Sequence, residues 1–170
     1  MKDYVIANGN EKEFIAIAEK LGYTELVFID GTLPMIKSKI KLSTSKRIAK
    51  SDSSKDRMLI EGKRIDILYD LELEKRKDHT HFRNSGMNQV IAKLMKEKNV
   101  SYGVSVSQLL HANPEQKANI LGRMLQNIKI CKKYKVSIVL ASFGKSPFDM
   151  RDPKDLVAVA KTLGLNDYKA

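Results

Sequence analysis

Residues 82–110 read FRNSGMNQVIAKLMKEKNVSYGVSVSQLL, and this stretch carries the pattern from which the fold class follows. Ser85 is the predicted N-cap of a helix, because its hydroxyl can accept a hydrogen bond from an unpaired amide of the first turn. The segment Val100–Ser107 is rich in β-branched residues and is predicted as a buried strand. Between them, apolar residues recur at the spacing of one helix face, namely Met87, Val90, Ile91, Leu94 and Met95.

The unit of helix, short connection and strand occurs three times, with strands beginning near residues 25, 101 and 136. Asn113–Gln116 predicts a capping box, and Asp152 with Pro153 predicts another helix start. Alternating helices and apolar strands indicate parallel pairing, because a parallel neighbour needs a crossover helix. Six strands are predicted, near residues 4, 26, 40, 67, 103 and 139. The predicted fold class is α/β, a parallel (β/α) barrel-like (TIM-barrel-like) fold, incomplete, with about six to seven strands.

Length and composition predict one domain in a reducing compartment. A chain of 170 residues can bury a stable core, so residues 1–170 are predicted to form a single barrel-like domain. Cys131 is the only cysteine, so no internal disulfide can form. No apolar run is long enough for a signal peptide or for the ~20 residues of a membrane helix. A cytoplasmic location is therefore predicted.

The charge of the chain is strongly positive and unevenly distributed. Lys and Arg number 31 against 20 Asp and Glu, a net charge of +11 that predicts an anionic partner. Residues 37–64, predicted as a basic irregular segment, hold ten basic and three acidic residues. Such a cluster would bind RNA with strong salt dependence and little sequence preference. The alternative is a solvated edge strand that lysines protect from aggregation.

Three blocks in the second half of the sequence indicate a family. They are RNSGMNQVIAKLMKEKNVSYGVSVSQLL, RMLQNIKICKKYKVSIVLASF and SPFDMRDPKDLVAVAKTLGL. In this order they resemble ribonuclease P protein component 3, the archaeal relative of the thirty-kilodalton subunit of the human enzyme, from about Ile65 to Leu165.

This resemblance implies a non-catalytic subunit of a ribonucleoprotein whose RNA removes the 5′ leader from precursor tRNA. The implied partners are the catalytic RNA, another ribonuclease P protein subunit and, indirectly, precursor tRNA, with no membrane. It implies no cofactor in the protein and magnesium bound through the RNA.

The predicted RNA contacts are basic or polar residues near element ends. Arg83 lies beside the predicted helix start, where backbone amides attract phosphate; the alternative is an ion pair with Asp70 or Glu72. Backbone and shape recognition is expected rather than base reading, and Phe82, Tyr102, Phe143 and Phe148 are the aromatic candidates for stacking. The predicted set is Lys46, Arg47, Lys63, Arg64, Arg83, Asn84, Lys145 and Arg151.

Two other functions stay open at this point, a metal-dependent phosphoesterase of similar barrel fold and a general RNA-binding module. His79 and His81, with Asp30 and Asp70 at predicted strand ends, could hold a metal that activates water, but the pattern is weak. Cys131 falls on the apolar face of a helix, where cysteine acts as a small hydrophobe. No catalytic residue and no metal ligand is predicted, and the protein is not expected to be catalytic alone.

Overall fold

The computed structural model of the chain describes residues 1–73 and 77–168. The described strands are β1 Lys2–Val5, β2 Glu25–Ile29, β3 Lys41–Ser45, β4 Ile48–Lys50, β5 Ile67–Tyr69, β6 Ser101–Ser105 and β7 Ile138–Ala141. The described α-helices are α1 Glu11–Lys20, α2 Asp56–Glu61, α3 Gln89–Lys98, α4 Val106–His111, α5 Pro114–Tyr134 and α6 Pro153–Thr162. Two short 3-10 turns cover Leu71–Leu73 and Pro147–Asp149.

The strands form two sheets. One has the order β1-β2-β3 and the other the order β4-β5-β6-β7. Pairing is parallel between β1 and β2, β2 and β3, β4 and β5, and β5 and β6. Parallel strands, most of them connected through helices, confirm the predicted α/β class with about six to seven strands.

The chain divides into two compact units. The first comprises Met1–Lys46, Ser105–Leu110 and Leu140–Ala170. In this unit β1 bonds to the segment after β7, since the Phe143 amide donates to the Tyr4 carbonyl at 2.8 Å. Its core includes the fully buried Phe14, Phe28 and Leu156. The single barrel-like domain over residues 1–170, with its basic segment 37–64, stays a prediction.

The second unit comprises Arg47–Val104 and His111–Val139, and the long helix α5 supplies much of its core. The predicted capping box is confirmed, because the Gln116 amide donates to Asn113 Oδ1 at 2.9 Å and Pro114 follows the cap. Met124, Ile128 and Cys131 are buried on one face of α5. Burial raises the pKa of the Cys131 thiol to about 12, as expected for a cysteine that packs as a hydrophobe.

The start of α3 differs from the prediction. Asn88 is the cap, with its Oδ1 accepting from the amides of Val90 and Ile91 at 2.9 Å each, so the predicted cap at Ser85 is wrong. Gly86 has φ +75°, a left-handed conformation that a helix cannot include. Val90 lies in the first turn of α3 but is 54% exposed, so it does not join the buried face.

Three predicted strands are shorter than expected. The predicted strand Val100–Ser107 ends at Ser105, where α4 begins directly. The strand predicted near residue 67 is only the three-residue β5, because Asp70 has φ +63° and a 3-10 turn follows. In place of the single strand predicted near residue 40, the structure has β3 and the separate strand β4. Among the described residues, none of the helices combines the length and the hydrophobicity needed to cross a membrane.

Candidate RNA interface

Asp78 lies between two arginine side chains of the second unit. Arg123 donates to Asp78 Oδ1 through Nε at 2.8 Å and Nη2 lies 2.7 Å from the same oxygen, while Arg83 Nη1 lies 3.3 Å from Oδ2. Burial acts to raise the pKa of Asp78, but the hydrogen bonds and positive charges around it outweigh burial and hold that pKa below its usual value. One carboxylate between two guanidinium groups leaves this cluster with a net positive charge.

Helix α5 fixes the position of Arg83. The Arg83 amide donates to Gln126 Oε1 at 3.1 Å, and Gln126 Nε2 donates to the Arg83 carbonyl at 2.7 Å. Gly122 lets the guanidinium lie against the helix, because a Cβ there would come within 2.4 Å of Arg83 Cζ. The side chain of Arg83 nevertheless stays 44% exposed.

Two predictions for Arg83 are therefore wrong. It does not stand at a helix start, since α3 begins at Gln89. Its ionic partner is Asp78 and neither Asp70 nor Glu72. Asp70 instead lies 3.5 Å from Lys50 Nζ, and buried Glu72 accepts from the Tyr102 hydroxyl at 2.9 Å.

The segment around Arg83 forms one wall of an open groove. Asn84 is fixed to the preceding turn, since its amide donates to Asp78 Oδ1 at 2.9 Å and its Nδ2 donates to the Lys77 carbonyl. Ser85 is buried and accepts from Gln126 Nε2 at 2.8 Å. Residues 82–88 line the groove together with Gln126 and Ile130, and its volume is about 430 Å³.

Phe82 stands at the mouth of this groove. Its side chain is 56% exposed, and its ring stacks on His79 with 4.4 Å between the ring centroids. The other aromatic candidates differ: Phe148 is also exposed, whereas Tyr102 and Phe143 are buried. Phe82 is thus the exposed aromatic residue that adjoins the arginine cluster.

Arg47, Lys63 and Arg64 form a second group in the same unit. Arg47 holds Asp66 through two hydrogen bonds of 2.7 Å, from Nε and Nη2, and Nη2 also donates to the Lys63 carbonyl at 3.2 Å. The hydrogen bond from Arg47 is the main cause that lowers the pKa of Asp66. Lys63 and Arg64 are exposed in the turn after α2. The positive charge of Arg47 is largely offset, while that of its two neighbours faces solvent.

Lys46, Lys145 and Arg151 belong to the first unit. Lys46 is exposed directly after β3. The backbone amide of Lys145 donates to Asp149 Oδ2 at 3.1 Å, and its side chain is exposed. Arg151 Nη1 donates to the carbonyls of Phe148 and Met150 at 2.8 and 2.9 Å, so this guanidinium holds the turn before α6.

The histidine pair does not assemble with carboxylates of the described residues. Within residues 1–73 and 77–168 there is no group of three or more His, Cys, Asp or Glu side chains that could hold a metal ion. His79 stacks on Phe82, and Asp70 pairs with Lys50. The geometry therefore gives no support to the phosphoesterase alternative.

The sequence did not point to Asp78, Arg123 or Gln126. Asp78 falls between the strand predicted near residue 67 and the helix predicted after Ser85, and its contact to Arg123 spans 45 residues of sequence. The available signal was Gly122, because a glycine inside a long helix often marks a close approach by another group.

Replacing Asp78 with asparagine is expected to lower the free energy of unfolding by about 1–3 kcal/mol, since Arg123 is only 11% exposed and its ion pair with Asp78 would be lost. Urea unfolding monitored by circular dichroism measures the change. Asp167→Asn, at an exposed position, is the control and should leave stability unchanged. Equal stability of the two variants would contradict a structural role for Asp78.

Comparisons with known proteins identify relatives of the chain. The family described as RNase P subunit p30 matches residues 51–170. The chain is similar to Ribonuclease P protein component 3 of Methanosarcina acetivorans, at 35% identity over 116 residues that cover 68% of this chain and 45% of that protein. It is also similar to that component of Thermococcus kodakarensis, at 31% identity over 83 residues that cover 49% of this chain and 38% of that protein. The chain thus spans less than half the length of these two relatives.

A solved structure shares the fold. In a cryo-EM structure of archaeal Ribonuclease P with mature tRNA, one chain superposes with a TM-score of 0.72 and 22% identity. The match covers 96% of this chain and 82% of that chain. This similarity confirms the predicted fold class.

Proposed function

Because the chain belongs to the RNase P subunit p30 family, we propose that it is a non-catalytic, RNA-binding protein subunit of ribonuclease P. In this role it supports the catalytic RNA in removing the 5′ leader from precursor tRNA. The family match over residues 51–170 carries the proposal, and the net charge of +11 agrees with an RNA partner.

The proposed mechanism is electrostatic. Basic side chains neutralise phosphates and so favour the RNA conformation that binds catalytic magnesium, while the protein supplies no nucleophile, general base or cofactor. The partners are the catalytic RNA, another ribonuclease P protein subunit and, indirectly, precursor tRNA, in the cytoplasm. The proposed RNA contacts are Lys46, Arg47, Lys63, Arg64, Arg83, Asn84, Lys145 and Arg151.

These residues are not expected to contribute equally. Lys46, Lys63, Arg64 and Lys145 are exposed, so their charges are free to meet phosphate. The guanidinium groups of Arg47 and Arg151 and the side chain of Asn84 already bind protein groups. The second set should therefore position the backbone more than it binds RNA.

Reconstituted leader cleavage tests the function. The complete enzyme is assembled from its RNA and protein subunits, with this chain present, omitted, or replaced by an unrelated protein of similar positive charge. Omission should slow cleavage at limiting magnesium and raise the magnesium concentration needed for activity, and the unrelated protein should not restore either. The proposal fails if omission changes neither the rate nor the magnesium requirement.

Reversing the charge of Lys46 and Arg47 to glutamate is expected to weaken RNA binding by about tenfold and to flatten its dependence on salt. Lys46→Glu alone should account for most of the loss, because Arg47 is already paired with Asp66. Binding to the ribonuclease P RNA is measured by filter retention across a salt series, with Lys161→Glu as the exposed control. An unchanged salt slope would mean that these residues only keep the protein soluble.

A further inference from the structure

The groove beside Arg83 continues along α5 to a second aromatic side chain. Gln126, Ile130 and Tyr134 are spaced four residues apart and so lie on one side of the helix. The first two line the groove, and the Tyr134 hydroxyl donates to Gln89 Oε1 at 3.1 Å. Gln89 directly follows Asn88, the last loop residue of the groove. From Gln126 to Tyr134 this strip runs about 12 Å along the helix.

Two lysines meet at the far end of the strip. Lys93 Nζ lies 6.0 Å from the centroid of the Tyr134 ring, and Lys133 Nζ lies 5.7 Å from it. Both side chains are exposed. Two positive charges beside one ring favour an anion at this end of the strip.

The near end has matching chemistry. Phe82 is exposed, and Arg83 is the charged side chain among the residues that line the groove. Asp78 contacts Arg83 through one nitrogen, and its closer contacts go to Arg123. Each end of the strip therefore combines one aromatic ring with positive charge.

We propose that the strip from Phe82 and Arg83 to Tyr134 binds a single-stranded RNA segment of about three nucleotides. Bases stack on Phe82 and Tyr134, while Arg83, Lys93 and Lys133 hold the phosphates. A single strand is favoured over a duplex, because a ring can stack only on an unpaired base. The inference rests on the proposed function, since it specifies which form of RNA this surface takes.

Direct binding of a short oligonucleotide tests the strip. Fluorescence anisotropy of a labelled oligouridine of about five nucleotides, and separately of an RNA duplex, is measured with the full chain. Phe82→Ala and Tyr134→Leu should each weaken binding of the single strand by about tenfold and change duplex binding less. Lys93→Glu with Lys133→Glu should lower the slope of log affinity against log salt by about 1.4.

Matched controls separate stacking and charge from general effects. Met35→Ala removes an exposed apolar side chain outside the strip, and Lys161→Glu reverses an exposed charge there. Both should bind the single strand as the parent chain does. Tyr134→Phe keeps the ring and loses only the hydrogen bond to Gln89, so it should stay within about twofold of the parent.

Three results would overturn the inference. The first is that Phe82→Ala and the lysine double variant bind the single strand as tightly as the controls do. The second is an equal loss in Tyr134→Phe and Tyr134→Leu, which would assign the effect to the hydrogen bond. The third is retained RNA binding with loss of co-elution with the other protein subunits, which would make the strip a protein-docking surface. Each of these results concerns the strip alone. If omission of the chain still slows leader cleavage, the proposed function is retained.

Discussion

Replacing Gly86 with alanine is expected to lower the free energy of unfolding by about 3 kcal/mol, through two effects that act together. Gly86 has φ +75°, where a Cβ costs about 1–2 kcal/mol. A Cβ there would also come within 2.4 Å of the backbone carbonyl oxygen of Leu71, which cannot swing away as a side chain can. Relief requires the 3-10 turn Leu71–Leu73 to move away from the loop that contains Arg83.

Gly9→Ala is the matched control, since Gly9 has φ +81° but nothing lies within 4 Å of the added Cβ. It isolates the conformational cost, so its expected loss is about 1 kcal/mol. Urea unfolding at neutral pH, monitored by circular dichroism, gives both values. Equal losses in the two variants would show that the contact with Leu71 carries no energy. Gly86→Ala should also weaken RNA binding more than Gly9→Ala does, because it displaces the wall of the groove.

The fold class could be predicted from the sequence because the signals that start helices and strands act over a few neighbouring residues. The capping box at Asn113, Pro114 after it, and the helix start at Asp152 each act within a few residues, and all three are present in the structure. Parallel pairing followed from repeated helix and strand units, which requires no knowledge of distant contacts.

The errors arose where a tertiary contact overrides local preference. Val106 and Ser107 continue the alternation of a strand, yet they begin α4. The Ser107 amide donates to the Ser142 carbonyl at 3.1 Å, and its hydroxyl donates to the Phe143 carbonyl at 3.2 Å. These bonds come from the segment that follows β7, far along the chain, and they fix a turn that strand propensity alone would not produce.

The candidate RNA interface likewise could be predicted from the sequence only in part. Arg83 was selected from the sequence because a helix start was predicted beside it, whereas α3 begins only at Gln89. The surroundings of Arg83 could not be predicted from the sequence. Asp78, Arg123 and Gln126 come together around Arg83 only when α5 packs beside the loop that contains it. The groove therefore forms only when the long helix α5 packs beside this loop. Its charge depends on the carboxylate of Asp78, which local sequence patterns do not connect with Arg123.

Replacing Glu72 with glutamine is expected to change how stability depends on pH. Glu72 is fully buried and accepts from the Tyr102 hydroxyl at 2.9 Å. Burial, with repulsion from Asp70 as a smaller cause, raises the pKa of Glu72 from 4.5 to about 8. The folded protein thus keeps a proton that the unfolded chain releases near pH 4.5. Between about pH 4.5 and pH 8 the free energy of unfolding should fall as pH rises, by on the order of 3 kcal/mol.

Glutamine removes this titration and preserves an acceptor for Tyr102. The variant should therefore lack this downward trend between pH 5 and pH 8, and at pH 9 it should be more stable than the parent chain by about 2 kcal/mol. Urea unfolding at pH 5, 7 and 9 measures both trends, with Glu97→Gln as a control at an exposed position on α3. The parent and Glu97→Gln should lose stability in parallel as the pH rises.

A parallel loss in Glu72→Gln would place the titrating group elsewhere and would mean that Glu72 is already ionised in the folded protein at pH 7. Glu72 Oε1 has no hydrogen-bond partner among the described residues, so a glutamine nitrogen in its place would be buried without an acceptor. A loss of stability at every pH would show that burying this nitrogen costs more free energy than removing the charge gains.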